Sequence, residues 1–232
     1  MTFPAPVRVS HDAITVLYLL LVAVLLPLAA IRSRAVLTPE GLVVPAPLRA
    51  GILARAVALQ IVIFAASLFV ARRHALRLWP SPRLGGRELA VGAAALLTLL
   101  GVGLLSWRLR SAAERRHLWV RHLLPDTPAQ WGLWLAVSIA AGIAEETTYR
   151  GVLVVLLGSV TASLVVGALL SAVVFALLHF PQGRTSMALV FAIALVMQGV
   201  VSMTGTLYVA IGVHAVYDIT AGIGVWHVTR NA

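Results

Sequence analysis

Long runs of apolar residues, separated by short polar segments, make up most of this chain. Seven of the runs approach the roughly 20 residues that a helix needs to cross the hydrocarbon core of a bilayer. They lie near 13–31, 50–71, 88–106, 131–157, 162–180, 186–204 and 206–226. The pattern predicts an all-α, polytopic transmembrane helix bundle of about seven spans.

The fourth run, 131–157, is longer than a bilayer requires and carries charged residues in its second half. A helix of this length has to tilt, bend or break. We expect the irregularity near the charged residues.

Two connecting segments also have recognisable patterns. The segment 107–124 interleaves arginines with leucines and tryptophan, which predicts a helix lying in the membrane interface, with a solvated basic loop as the alternative. The proline-containing stretch 36–48 predicts a loop.

Composition supports a membrane protein and excludes several other classes. Of 232 residues, 60% are hydrophobic and 11% are charged, and the mean hydropathy of +0.97 is far above that of a soluble domain. All 18 basic residues are arginines, so the net charge of +10 indicates contacts with membrane lipids and not with nucleic acid. The lack of cysteine excludes disulfides and thiolate metal sites. The abundance of arginine, alanine, valine and leucine favours a bacterial plasma membrane.

A few ionisable residues interrupt the apolar runs of the C-terminal half. Near the centre of a span a charged side chain costs about 2.5–3.5 kcal/mol, so such residues face the bundle interior and mark functional sites. They form three clusters, which are Glu145, Glu146 and Arg150; His179; and His214 and Asp218. We expect the clusters to converge on one polar site within the last four helices.

Helical spacing gives the two adjacent glutamates different surroundings. Glu146 and Arg150 are four residues apart with the acid first, the favourable order for an ion pair along one helix. Glu145 points about 100° away from Glu146. The sequence therefore predicts that Arg150 braces Glu146 and that Glu145 is the free carboxylate.

The same spacing links the residues of the other two clusters. Phe175 and His179 are four residues apart, which places an aromatic face beside the imidazole. His214 and Asp218 are also four apart, so the carboxylate can hold one ring nitrogen and fix the tautomer. Each pair has a plainer interpretation, in which the contact only satisfies a buried polar group.

The order of these clusters on successive hydrophobic helices is similar to that in the CAAX-protease and bacteriocin-processing family of intramembrane endopeptidases, which includes type II CAAX prenyl proteases. The three matching motifs are Glu145-Glu146-x-x-x-Arg150, Phe175-x-x-x-His179 and His214-x-x-x-Asp218. The resemblance covers about 130–218. It divides the chain into N-terminal helices with the arginine-rich segment at 1–128 and a catalytic helix bundle at 129–232.

The resemblance implies a glutamate-dependent endopeptidase that hydrolyses a peptide bond inside the membrane. We favour a reaction without a cofactor, and zinc stays possible. Glu145 and His179 would position and deprotonate the attacking water, and the motif of His214 and Asp218 would stabilise the oxyanion. The residues that shape the site would be Glu146, Arg150 and Phe175. The substrate would be a membrane-associated peptide or protein, such as a prenylated protein or a bacteriocin precursor.

Two other functions stay open at this point. Glu145, His179 and His214 offer the oxygen and nitrogen ligands of a catalytic zinc ion, which would make the protein an intramembrane metalloprotease. Buried glutamate, histidine and aspartate also build proton relays, so a proton-coupled transporter is the second alternative. We favour metal-independent hydrolysis. The zinc alternative is weakened because the H-E-x-x-H motif is missing from the sequence, and the transporter alternative is weakened because no inverted repeat is evident.

Asp218 stands where the eukaryotic prenyl-protein branch of the family usually has asparagine. An amide donates a hydrogen bond to a developing oxyanion, whereas an ionised carboxylate repels it. Either Asp218 is protonated and donates directly, or it stays ionised and holds His214 as an imidazolium that donates. We expect the second arrangement.

Overall fold

The computed structural model describes residues 9–10, 12–33, 44–79, 84–111, 114–115 and 119–230, and the regular elements over these residues are all helical. Seven long helices follow one another along the chain. They are α1 at Ala13–Ser33, α2 at Ala46–Arg73, α3 at Gly86–Leu109, α4 at 128–161, α5 at Leu164–Leu178, α6 at Arg184–Thr204 and α7 at Leu207–Arg230. Short 3-10 helices lie at Trp119–Leu123 and Phe180–Gln182. The predicted all-α bundle is confirmed.

Five of these helices, α1, α2, α3, α6 and α7, are long and apolar enough to cross a membrane within the part of the chain that is described. The other two carry the glutamate pair and His179. With 15 residues, α5 is about 22 Å long, which is less than the roughly 30 Å of a hydrocarbon core. The protein is therefore a polytopic membrane bundle.

The backbone of α4 changes its hydrogen bonding midway. It is α-helical over Pro128–Glu145, π-helical over Glu146–Leu153 and α-helical again over Val154–Thr161. In a π-helix each N–H bonds to the carbonyl five residues earlier, a rare arrangement that occurs frequently at functional sites. The irregularity expected near the charged residues is thus a π-helical stretch and not a break in the helix.

Short polar side chains begin three of the helices. Asp12, Thr127 and Ser163 each accept a hydrogen bond from the backbone N–H three residues later, at 2.9, 3.3 and 3.3 Å. These bonds satisfy N–H groups that have no partner within the helix. Between α6 and α7 the chain turns at Gly205, whose φ of 68° is in the left-handed region that glycine adopts without steric cost.

The helix α4 packs against both α2 and α7. Its approach to α7 depends on Gly142, because a Cβ atom at this position would lie 2.9 Å from the carbonyl oxygen of Ile211. One apolar cluster joins mainly α1, α2, α4 and α5, and a second joins α3, α6 and α7. This packing brings the polar residues of α4 between α2 and α7.

Ion pairs connect helix ends outside the spans. At one end, Arg73 Nη2 lies 2.7 Å from an oxygen of Asp12, and the backbone N–H of Thr15 and the Arg73 guanidinium hold the pKa of the Asp12 carboxyl well below its usual range. At the other end, Arg49 forms an ion pair with Asp126 just before α4. These contacts tie α1 to α2 and α2 to the start of α4.

The prediction of an interfacial helix over 107–124 is wrong for the first residues of this segment. The helix α3 continues to Leu109, and Arg110 then takes an extended conformation with ψ of 140°. Arg110 is buried, and its guanidinium donates to Ser186 Oγ at 3.0 Å, which turns the chain toward α6. Residues 112–113 and 116–118 of this prediction lie outside the described residues.

The loop predicted over 36–48 is described only at its end. Residues 36–43 lie outside the described residues, and α2 already begins at Ala46, with Pro47 in its first turn. Proline suits this position because the first helical N–H groups have no partner within the helix.

Candidate active site

Glu146 is fully buried and makes two polar contacts. Its side chain is 0% exposed, and its Oε1 lies 3.0 Å from Arg150 Nη1 and 2.7 Å from His214 Nδ1. The contact with Arg150 confirms the ion pair that the spacing predicts. The contact with His214 was not predicted, because it joins two helices whose residues are 68 positions apart in the sequence.

Arg150 extends this network toward α5. Its guanidinium carbon lies 4.5 Å from the centroid of the Phe175 ring, and the rings of Phe175 and His179 are 5.0 Å apart. A cation over an aromatic face contributes about 2 kcal/mol when it is desolvated. The predicted contact of Phe175 with His179 is confirmed, and Phe175 connects the ion pair to the imidazole.

Glu145 faces a different neighbour. Its Oε1 accepts a hydrogen bond from Gln60 Nε2 of α2 at 2.6 Å, and its Oε2 lies 3.8 Å from His214 Nε2. The side chain is 18% exposed. The prediction that Glu145 is a free carboxylate is therefore wrong, because the turn of the helix that separates it from Glu146 points it at α2.

Gln60 of α2 belongs to the site without having been predicted, although the sequence carries a signal of it. Gln60 is a lone amide within the apolar run 50–71, and a polar side chain at such a depth needs a partner. What the sequence could not supply is the identity of that partner, since Gln60 and Glu145 are 85 positions apart.

His214 lies between three carboxylates. Its Nδ1 contacts Glu146, and its Nε2 lies 3.5 Å from Asp218 Oδ2 and 3.8 Å from Glu145 Oε2. Asp218 does hold one ring nitrogen, as predicted, but at ion-pair distance and less closely than Glu146 holds the other. With an acid facing each nitrogen, the surroundings suit an imidazolium with two N–H donors.

His179 is held by its own helix. Its Nδ1 lies 3.0 Å from the carbonyl oxygen of Phe175, so Nδ1 carries the proton and donates. In a neutral imidazole this leaves Nε2 as the nitrogen that can accept a proton. None of the hydrogen bonds or ion pairs found among the described residues joins His179 to Glu145, so the structure does not bring these two residues into direct contact.

Hydroxyl groups hold the π-helical stretch in place from two sides. Ser67 Oγ of α2 lies 2.7 Å from Thr148 Oγ1 and 2.8 Å from the hydroxyl of Tyr18. Ser171 Oγ of α5 donates to the carbonyl oxygen of Tyr149 at 2.6 Å. Buried hydrogen bonds of this kind fix the position of a backbone that departs from regular geometry.

Three buried polar atoms of the network have no hydrogen-bond partner among the described residues. They are Gln60 Oε1, Glu146 Oε2 and Arg150 Nη2. Such atoms are costly and are rare in folded proteins. Each belongs to Glu146 or to a residue in contact with one of the two glutamates, so the unsatisfied hydrogen-bonding capacity is concentrated at the site.

The ligand set considered for zinc does not fit this geometry. Within the described part of the chain, no group of three or more His, Cys, Asp or Glu residues is arranged to hold a metal ion. Both ring nitrogens of His214 face carboxylates, so the ligand set of Glu145, His179 and His214 lacks one of its two imidazole donors.

Residues 127–220 match the model of a protein family described as type II CAAX prenyl endopeptidase, Rce1-like. The matched segment runs from the cap of α4 into α7 and contains the three motifs. No curated protein and no solved structure matches the chain. The family match supports the resemblance seen in the sequence, and it leaves α2, with Gln60, outside the matched segment.

Proposed function

We propose that the protein is a peptide hydrolase of the membrane in which Glu145 activates the water, because residues 127–220 match the Rce1-like family of type II CAAX prenyl endopeptidases. The difference between the two glutamates carries this proposal. Glu145 is 18% exposed, whereas Glu146 is 0% exposed and paired with Arg150. Only the partly exposed carboxylate can meet both a water and a substrate.

The proposed hydrolysis needs one proton acceptor and one proton donor. The water oxygen attacks the peptide carbonyl carbon while its proton passes to Glu145, with Nε2 of His179 as an acceptor that orients the water. The C–N bond of the tetrahedral intermediate then breaks, and the leaving nitrogen takes the proton from Glu145. General acid–base steps of this kind typically contribute about 10²–10⁴-fold to the rate.

His214 is the proposed donor to the oxyanion. Its Nε2 lies 3.8 Å from Glu145 Oε2, which places the donor next to the base, and a carbonyl attacked at Glu145 has its oxygen within reach of the imidazole. Glu146 and Asp218 hold the ring by its two nitrogens. A preoriented donor in a dry site is worth about 3–4 kcal/mol in the transition state.

The remaining polar residues support this arrangement without taking part in the proton transfers. Arg150 neutralises Glu146 and lies over Phe175, which in turn orients His179. We infer that hydrolysis is independent of a metal, since both ring nitrogens of His214 face carboxylates.

The proposed substrate is a peptide held at a membrane, in a bacterial plasma membrane as the composition suggests. Within the family the name points to prenylated C-terminal peptides, and a bacteriocin precursor or another lipid-bound peptide is the alternative. The test is cleavage of matched peptides with and without a prenyl group by the purified protein in liposomes. We expect cleavage of the membrane-bound form; proton or solute flux without any cleavage would contradict the proposal.

A further inference from the structure

Gln60 lies on α2, in the part of the chain that the family match does not include. The surrounding sequence from Ala56 to Ala66 is otherwise apolar. An uncharged amide inside such a helix is costly unless it is hydrogen-bonded. The bond that Gln60 makes is to Glu145, the carboxylate to which hydrolysis is assigned above.

The contact is short and has a defined direction. Gln60 Nε2 donates to Glu145 Oε1 at 2.6 Å, while Glu145 Oε2 lies toward His214. The amide therefore occupies one carboxylate oxygen and leaves the other for a water. Hydrogen bonds to a charged acceptor are shorter and stronger than neutral ones, and they restrict the rotation of the carboxylate.

A second contact sets the register of α2 against α4. Gln60 and Ser67 are seven residues apart, or about two helical turns, so they share one face of α2. Ser67 bonds to Thr148 at 2.7 Å. This hydroxyl contact holds α2 beside the π-helical stretch, and Gln60 then reaches Glu145 from a fixed distance.

We propose that Gln60 is a positioning residue for hydrolysis, which fixes Glu145 so that its Oε2 faces the reacting water. The inference rests on the proposed role of Glu145. It extends the active site beyond the three motifs to a helix of the N-terminal half. The Oε1 of the same amide is buried and has no partner among the described residues, so the bond to Glu145 is the contact that orients the Gln60 side chain.

The test compares two substitutions to methionine at neighbouring positions of α2. Gln60→Met keeps the length of the side chain and removes the donor, so we expect kcat to fall about 10–100-fold with KM within about twofold, the size of effect that misplacing a catalytic group produces. Leu59→Met is the matched control, because this side chain is 54% exposed on the outside of the bundle. It should leave both kcat and KM within about twofold of wild type.

A third variant, Gln60→Glu, keeps the size of the side chain and makes its ability to donate a hydrogen bond depend on pH. In Gln60→Glu, two carboxylates share the site, and they can form one hydrogen bond only when they hold a proton between them. This variant should regain activity relative to Gln60→Met at low pH and lose it at high pH. Wild-type kcat in Gln60→Met, or equal losses of kcat in Gln60→Met and Leu59→Met, would overturn the positioning role.

An infrared titration tests the contact without relying on activity. The C=O band of protonated Glu145 is identified as the band missing from Glu145→Gln. In Gln60→Met this band should shift, and the pH at which it appears should change; an unaltered band would overturn the inference. If the wild type cleaves no peptide, the proposed function fails, and the infrared band still decides whether Gln60 holds Glu145.

Discussion

Glu145 and Glu146 are neighbours in sequence but contact different helices. Glu146 turns toward Arg150 and α7, where it is closed off from solvent, and Glu145 turns toward α2, where it keeps partial exposure. Identical side chains thus have different chemical properties because their surroundings differ, which is the common way in which paired carboxylates are given separate roles.

The Glu146→Gln variant should be destabilised. The substitution leaves the buried Arg150 without its anionic partner, and breaking a buried ion pair from one side costs about 3–5 kcal/mol. Thermal unfolding in detergent should show a much lower Tm than wild type, whereas Glu145→Gln should unfold near the wild-type temperature. Equal Tm values for the two variants would show that the division of roles between the glutamates is wrong.

The Asp218→Asn variant should keep its fold and change its pH dependence. His214 would lose one of the carboxylates that stabilise its imidazolium, so the alkaline side of the kcat profile should move to lower pH. His214→Ala should lose more activity than Asp218→Asn at every pH. If Asp218→Asn has the wild-type profile throughout, direct donation from position 218 is the better explanation.

At the scale of helices, contacts within one helix followed from the sequence and contacts between helices did not. The predicted pairs along single helices, which depend only on helical periodicity, were Glu146 with Arg150, Phe175 with His179 and His214 with Asp218. Two other contacts, Gln60 with Glu145 and Glu146 with His214, join different helices. They depend on which helices pack together and on how far each is shifted along its axis. A hydrophobic run does not encode that shift, because lipid-facing and helix-facing residues are equally apolar.

Asp12 caps the N-terminal end of α1 and pairs with Arg73 of α2. The pKa of Asp12 is lowered by the Thr15 backbone N–H and by Arg73, so its ionised form stabilises the folded state above its unfolded pKa of about 3.9. That contribution should disappear as the pH falls below about 4. Asp12→Asn should therefore have a lower Tm than wild type at neutral pH, and the difference should shrink in acid. A difference that is constant from pH 7 to pH 3 would contradict the ionic contribution.

At the scale of the whole molecule, the two halves of the chain meet in the site. The predicted division at 128 separates the motifs from the N-terminal helices, yet Gln60 and Ser67 of α2 contact α4 on the other side of it. The order of the motifs was enough to suggest the catalytic residues. Their support from α2 was not visible, because the N-terminal runs carry no motif beyond their hydrophobicity.

Independence from metal is a prediction about the whole protein. Exhaustive chelation should leave peptidase activity unchanged, and elemental analysis of active protein should find no stoichiometric zinc, because both ring nitrogens of His214 already face carboxylates. One zinc ion per chain, with activity restored only by adding metal, would overturn this prediction.

The most direct test of the central claim is single-turnover cleavage by Glu145→Gln beside wild type, with both proteins purified and checked for equal Tm. Glutamine keeps the shape of the side chain and its hydrogen-bonding partners but cannot take a proton from water. We predict that the rate of peptide cleavage falls by about 10²–10⁴-fold, the usual contribution of a general base. Cleavage by Glu145→Gln at the wild-type rate would show that Glu145 does not activate the water.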